Sequence, residues 1–128
     1  MTLGRIVLWL LALVFGVIGL LFVIAPVSWA RVVEISLPTA MARTDLRATY
    51  GGFALAFGVF LGACALNSPW LRPGLLASAL VLLGFGLSRL LGIALEGEGH
   101  RLMWAFLVLE LVCAGLSLYA FVRTPSAI

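Results

Sequence analysis

The sequence predicts an all-α integral membrane four-helix bundle, and three observations lead to this prediction. Of the 128 residues, 64% are hydrophobic and 10% are charged, and the mean hydropathy is +1.24, whereas soluble domains are about 45–50% apolar and about 25% charged. The apolar residues form four uninterrupted stretches, each near the roughly 20 residues that a helix needs to cross a bilayer. These stretches lack the alternation of barrel strands, so helices remain as the way to pair the backbone in lipid.

From these stretches we predict a single domain, residues 1–128, that crosses the membrane four times. The spans cover about residues 6–24, 48–66, 74–95 and 102–122. Short loops join the last three spans, so we expect neighbouring helices to pack antiparallel. The longer connection, Ala25–Arg47, contains spaced apolar residues and predicts a segment that lies along the membrane surface. The first span is longer than the h-region of a secretory signal, about 7–15 residues, and we interpret it as uncleaved.

The tryptophans agree with four spans, because an indole prefers the boundary between membrane and water. Each lies near the end of a predicted span: Trp9, Trp29, Trp70 and Trp104. If the amino terminus is cytoplasmic, the arginines of the inner side are Arg5, Arg72 and Arg123, and those of the outer side are Arg31, Arg43, Arg47 and Arg101. We expect both termini in the cytoplasm, and the near balance of arginines also permits dual topology.

The net charge of +3 comes from eight arginines against five acidic residues, with no lysine. Most of the arginines stand singly at the ends of apolar runs, which is typical of membrane-flanking charge and not of a nucleic-acid-binding surface. The lack of lysine excludes Schiff-base chemistry, and with it a retinal protein. We therefore expect the lipid bilayer as a partner and no nucleic acid.

Two charged residues lie inside predicted spans, Arg89 in the third and Glu110 in the fourth. An unpaired charge at the centre of a span costs about 2.5–3.5 kcal/mol on insertion scales. The topology places both residues in the same half of the membrane, so we predict an Arg89–Glu110 ion pair between neighbouring helices. Asp45, Arg47 and Tyr50 enter from that side and extend the prediction to a wider polar network. Such a network either locks helix register or forms a substrate, proton or lipid-headgroup site.

Small residues at four-residue spacing predict two faces for close helix packing, within the chain or between chains. They are Gly58 and Gly62 in the second span and Gly84, Ser88 and Gly92 in the third. The two cysteines, Cys64 and Cys113, lie within apolar runs and at different predicted depths, so we expect buried free thiols and no disulfide.

The sequence lacks the residues that several classes of function require. The single histidine, His100, cannot supply paired axial ligands to a haem. Glu96, Glu98 and His100 alternate with glycines, which is typical of a solvated turn, and three ligands on a flexible loop make a poor metal site. The sequence has no phosphate-binding GxxxxGK[ST] loop, and no nucleophile–base arrangement stands out. We therefore predict no enzyme, no metal and no cofactor.

The segment Asp45–Gly52, DLRATYGG in one-letter code, opens the second span and resembles the bacterial membrane family catalogued as domain of unknown function 4345. The resemblance extends along nearly the whole chain, through residues that match the family's pattern: Pro26, Arg47, Tyr50, Gly51, Gly52, Arg72, Pro73, Arg89 and Glu110. The Tyr-Gly-Gly motif is moderately specific, and the other features are general in small membrane proteins. The resemblance implies a four-helix protein of the bacterial cytoplasmic membrane and brings no activity with it.

Three functions remain compatible with the sequence. Small size, short loops and small-residue faces favour a non-enzymatic accessory or assembly subunit of a larger membrane complex. The main alternative is a small ion-coupled transporter, dimeric and of dual topology, with Glu110 as its proton or cation site. The third is a lipid-binding protein in which Arg47 and Arg89 receive an anionic headgroup. The partners under these hypotheses are other membrane subunits or further copies of the chain.

Overall fold

The computed structural model describes residues 2–97 and 99–125, and these ranges contain helices and no strand. The helices in chain order are α1 (Leu3–Ile24), α2 (Pro26–Val32), α3 (Ala40–Leu46), α4 (Ala54–Leu66), α5 (Leu71–Glu96) and α6 (Arg101–Arg123). A π-helical segment, Arg47–Phe53, joins α3 to α4 without a break, and a 3₁₀ turn, Ser68–Trp70, leads into α5. The predicted all-α fold is confirmed.

Four continuous helical stretches are long and apolar enough to cross a membrane, so the chain is a multi-pass membrane protein. They are Leu3–Ile24, Ala40–Leu66, Ser68–Glu96 and Arg101–Arg123. The second stretch begins earlier than its predicted start near residue 48. Thr39 is the reason, because its Oγ1 accepts a hydrogen bond from the backbone N–H of Ala42 at 3.1 Å and caps the helix there. Hydropathy located the apolar part of this helix, whereas the cap sets its first turn.

The connection between α1 and α3 is partly helical. Pro26 begins α2 at a position where the missing N–H costs no hydrogen bond. A tight turn follows the helix, and in it the N–H of Ile35 donates to the carbonyl oxygen of Ala30 at 2.9 Å. Glu34 in this turn has a φ of 61°, a left-handed conformation that is uncommon outside glycine. The longer connection therefore consists of a short helix, a tight turn and an extended approach to α3.

The turn between α5 and α6 is built from two helix ends. Gly97 ends α5 in the left-handed conformation, with a φ of 70°, as glycine commonly does after a helix. His100 precedes α6, and its Nδ1 accepts a hydrogen bond from the backbone N–H of Leu102 at 3.2 Å. The histidine that was considered as a metal ligand therefore caps a helix. Glu98 of the same loop lies outside the described residues.

The packing of the chain divides it into two compact units. The first unit is residues 9–63, and the second unit is residues 1–8 together with 64–128. The first unit holds most of α1 and α4 with the elements between them, and the second unit holds α5, α6 and the chain segments that pack on them. That the whole chain forms one four-pass domain stays a prediction.

In the first unit, α1 and α4 approach each other at backbone distance. A Cβ atom on Gly58 would lie 2.8 Å from the backbone nitrogen of Gly16 and 2.9 Å from the carbonyl oxygen of Ala12. Gly62, one turn further along α4, would place a Cβ atom 3.6 Å from the ring of Trp9. Only a glycine at position 58 allows this approach, because the opposing atoms belong to the backbone and cannot turn aside.

In the second unit, α5 and α6 pack antiparallel. The fully buried hydroxyl oxygens of Ser78 and Ser117 lie 3.1 Å apart, and Ser78 Oγ also lies 2.9 Å from the carbonyl oxygen of Leu75. Further along α5, a Cβ atom on Gly86 would lie 2.9 Å from Cδ2 of Leu111. Residues later in α5 contact residues earlier in α6, as antiparallel packing requires. These contacts fix the register of the two helices.

Candidate functional site

Arg89 and Glu110 form a bidentate ion pair between α5 and α6. Nη2 of Arg89 donates to Oε1 of Glu110 at 2.6 Å, and Nε donates to Oε2 at 3.0 Å. The arginine side chain is 25% exposed and the glutamate side chain 13% exposed. Two parallel N–H···O bonds between charged groups make a strong and directional contact. The predicted ion pair between these two residues is therefore present.

Two further side chains of α6 contact the same guanidinium. Nη1 of Arg89 donates to Sδ of Met103 at 3.3 Å, and Cζ lies 5.2 Å from the centre of the Phe106 ring. A thioether sulfur is a weak acceptor, and an aromatic face attracts a cation more strongly where water is excluded. Met103, Phe106 and Glu110 share one face of α6, because their spacings are three and four residues. Sequence reasoning missed Met103 and Phe106, although helical spacing from Glu110 was a signal for both.

The close approach of the two helices beside this pair depends on Gly86. This glycine lies three residues before Arg89, on the same side of α5. A Cβ atom on Gly86 would lie 2.9 Å from Leu111 Cδ2 and 3.7 Å from Cβ of Glu110. A larger residue would therefore press on the helix turn that carries the glutamate. Gly86 was also missed, because it lies outside the predicted small-residue face of the same helix.

The ion pair carries no net charge and is closed, in the sense that its two charged groups form hydrogen bonds with each other. Both carboxylate oxygens of Glu110 accept hydrogen bonds from the guanidinium of Arg89. Removing either charge would leave the other one in an apolar span, where it costs about 2.5–3.5 kcal/mol on insertion scales. Each carboxylate oxygen of Glu110 thus accepts one hydrogen bond from the arginine that faces it. The geometry is therefore suited to hold two membrane helices in one register.

The remaining residues of the predicted network lie in the first unit, and two of them have contacts there. Nε of Arg47 donates to the carbonyl oxygen of Val23 at 3.1 Å, near the end of α1. The ring of Tyr50 lies 5.3 Å from the ring of Phe22. Asp45 is exposed. The wider network that joins these residues to the ion pair stays a prediction.

The Tyr-Gly-Gly motif lies in the π-helical segment Arg47–Phe53. Short π-helical turns are rare, and they frequently occur at functional sites. A Cβ atom on Gly51 would lie 2.8 Å from Cγ2 and 3.0 Å from the backbone nitrogen of Val23. Glycine is therefore needed at position 51, because the π-helical segment presses against the end of α1. The motif itself was visible in the sequence, whereas no residue pattern indicated the wider helical turn.

The two predicted small-residue faces differ in the structure. Gly58 and Gly62 are buried. On α5, in contrast, Ser88 is exposed, and a Cβ atom on Gly84 or Gly92 would have no heavy atom of residues 2–8, 64–97 and 99–125 within 4 Å, apart from the helix's own backbone. The face of α5 formed by Gly84, Ser88 and Gly92, here called the outer face of α5, is thus uncovered within the described part of the second unit.

Four membrane-length helices, two of which are joined by a closed ion pair, define a helical multi-pass membrane protein. Over residues 3–121 the chain matches the family described as "Domain of unknown function (DUF4345)", and it belongs to that family. The family resemblance seen in the sequence is thereby confirmed. No curated protein and no solved structure shows significant similarity to the chain.

Proposed function

We propose that this protein is a non-enzymatic accessory or assembly subunit of a larger complex in the bacterial cytoplasmic membrane, with both termini in the cytoplasm. The observation that carries the proposal is the uncovered outer face of α5. Small residues let a second helix approach closely in lipid, where van der Waals packing drives association. A partner helix would give this face the packing that the described part of the second unit does not supply.

Another side of α5 is fixed to α6, and this holds the outer face as a rigid docking surface. Ser78 contacts Ser117, and Arg89 is paired with Glu110. These contacts lie three helical turns apart, about 16 Å at 1.5 Å per residue. A helix that is held at two levels presents its free side in a fixed arrangement, and this lowers the entropy cost of binding a partner.

Exposed leucines flank the small residues of the outer face. Leu80, Leu87 and Leu91 are 60%, 58% and 59% exposed, and they lie next to Gly84 and Ser88 along α5. Large side chains beside small ones form the ridges and grooves into which another helix packs. Because lipid is as apolar as leucine, the shape of this surface, and not its hydrophobicity, would select the partner.

The closed ion pair favours this role over the two alternatives. A proton or cation carrier needs a carboxylate that is open to its ion, whereas both oxygens of Glu110 accept from Arg89. A headgroup site needs guanidinium donors that face the lipid, whereas Arg89 donates to Glu110 and Met103. Arg47 donates to a backbone carbonyl of α1. A headgroup site at Arg89 would therefore require the observed contacts to rearrange, whereas Arg47 is exposed and uses only its Nε in this contact.

Photocrosslinking in the native membrane tests the proposal. A photoreactive residue at Ser88 is expected to capture a second polypeptide, which mass spectrometry then identifies. The same group at Val108, which is 58% exposed on α6, is expected to capture lipid. Lipid adducts alone at both positions would contradict the proposal. A product made of two copies of this chain would assign the outer face to a homo-oligomer, and would contradict an accessory role in a larger complex.

Replacing Gly84 with leucine is expected to reduce the amount of partner that copurifies about fivefold or more, because the added side chain fills the docking surface and overpacking costs about 1–3 kcal/mol. Gly115→Leu is the matched control. Gly115 is an exposed glycine on α6, and a Cβ atom there also has no heavy atom of the described ranges within 4 Å, again apart from the helix's own backbone. Quantitative immunoprecipitation of both variants measures the difference, and equal recovery of the partner would argue against docking at α5.

A further inference from the structure

A second group of arginines surrounds a pocket that neither the ion pair nor the outer face of α5 uses. The pocket lies in the second unit, where α1 and α5 begin and α6 ends, and its volume is about 460 Å³. Arg5, Arg123 and Ser68 are among the residues that line it. Leu3 and Leu71 form part of its apolar wall. The pocket therefore combines positive charge with apolar surface.

No acidic side chain from the neighbouring sequence balances this positive charge. The segments that form the pocket belong to the stretches 1–33, 46–95 and 111–128, and these contain no aspartate or glutamate. Within residues 2–97 and 99–125, neither Arg5 nor Arg123 has a carboxylate within ion-pair distance, whereas Arg89 is paired with Glu110. An unbalanced pair of guanidinium groups attracts an anion.

Arg72 positions the pocket, although it does not line it. Its Nη1 donates to the carbonyl oxygen of Thr124 at 3.2 Å, and its Cζ lies 4.4 Å from the centre of the Phe121 ring. Both contacts tie the end of α6 to the beginning of α5. They fix the chain on either side of Arg123, so that the Cα atom of Arg123 has a defined position beside the pocket.

The donors of the pocket suit phosphate oxygens. Nη2 of Arg5 donates to Ser68 Oγ at 2.8 Å, and a hydroxyl that accepts one hydrogen bond keeps its own proton to donate. Arg123 is exposed, and its Cζ lies 5.3 Å from the centre of the Tyr119 ring. Guanidinium forks match the oxygens of phosphate in geometry and charge. Two arginines and one serine with such groups thus line the same pocket.

We propose that this pocket binds the phosphate group of an anionic phospholipid, with the phosphate at Arg5 and Arg123 and the first carbons of the lipid against Leu3 and Leu71. The pocket lies at the ends of membrane-crossing helices, which is the depth of lipid headgroups. Trp70, in the turn before α5, is 53% exposed, and exposed indoles prefer this boundary. The apolar wall selects a lipid over inorganic phosphate, because the free ion has no carbon atoms to cover it.

Native mass spectrometry of the full chain in detergent, with equal amounts of phosphatidylglycerol and phosphatidylcholine, tests the proposal. The protein is expected to retain phosphatidylglycerol preferentially, and added salt is expected to weaken this retention. Arg5→Gln and Arg123→Gln should each lower it about fivefold, and the double variant about 25-fold. Arg101→Gln, at the other end of α6 and about 33 Å from Arg123, is the control and should leave retention unchanged.

Phosphatidylglycerol retention by the double variant at the level of the unaltered protein would overturn the proposal, and so would equal retention of the two lipids. Complete displacement of phosphatidylglycerol by inorganic phosphate would show that the pocket takes free phosphate and would overturn the assignment to a lipid. Circular dichroism shows whether the glutamine variants fold. If they do not, Arg5→Lys with Arg123→Lys preserves the charge but loses the fork, and a loss of lipid preference that is no greater than in Arg101→Lys would count against the proposal.

Discussion

Glu110→Gln is expected to destabilise the protein by about 2–3 kcal/mol, because it leaves Arg89 charged within an apolar span. The glutamine can still accept one hydrogen bond, but it cannot neutralise the guanidinium that Glu110 now holds with both oxygens. Reversible unfolding in mixed micelles measures the change in the free energy of unfolding. Arg101→Gln is the control, because Arg101 is an exposed charge at the end of the same helix.

Replacing both members of the pair by leucine should recover most of the stability that the single change loses. Well-packed apolar residues often replace a buried ion pair without loss, whereas one unpaired charge remains costly. If the Glu110→Gln variant is as stable as the unaltered protein, the guanidinium of Arg89 has found another partner or reaches water. The pair would then not be what holds α5 and α6 in register.

Gly58→Ala is expected to cost about 1–3 kcal/mol, because the added methyl group would meet backbone atoms of Gly16 and Ala12 at less than 3 Å. Backbone atoms cannot rotate away, so α1 and α4 would have to separate. Gly84→Ala is the matched control, since it makes the same chemical change at an open position of α5. In the purified chain it should be neutral or stabilise the helix by up to about 1 kcal/mol.

The same unfolding measurement compares the two alanine variants. Equal effects at positions 58 and 84 would contradict the difference between the two small-residue faces. The comparison is informative because hydropathy treats the two sites alike, and both belong to small residues at four-residue spacing. Only the structure distinguishes a glycine that meets a neighbouring backbone from one that faces open space.

The helices could be predicted from the sequence because lipid imposes a simple requirement. A long apolar run is needed to cross it, and a charge within such a run needs a partner. Arg89 and Glu110 were identified for this reason, and antiparallel neighbours place them at one depth. The start of the second helix after Thr39 was not predicted. Hydropathy does not show it, because capping depends on a local hydrogen bond.

The surroundings of the ion pair could not be predicted in the same way. In water, apolar periodicity shows which side of a helix is buried, whereas a membrane helix is apolar on all sides. The predicted ion pair turns Glu110 towards α5 and indicates which face of α6 contains Met103 and Phe106, but no apolar pattern shows which residues of that face contact Arg89. The same holds for Gly86 on the face of α5 that contains Arg89. The π-helical turn also had no signal, since its residues are compatible with an ordinary α-helix.

The most direct test of this account is the charge exchange that combines Arg89→Glu with Glu110→Arg. Each single change places two like charges together and is expected to destabilise the protein more than Glu110→Gln does. The exchanged pair restores opposite charges at the same depth, so the double variant should recover at least half of the summed loss. Losses that simply add would contradict the claim that these two side chains hold α5 and α6 together by neutralising each other within the membrane.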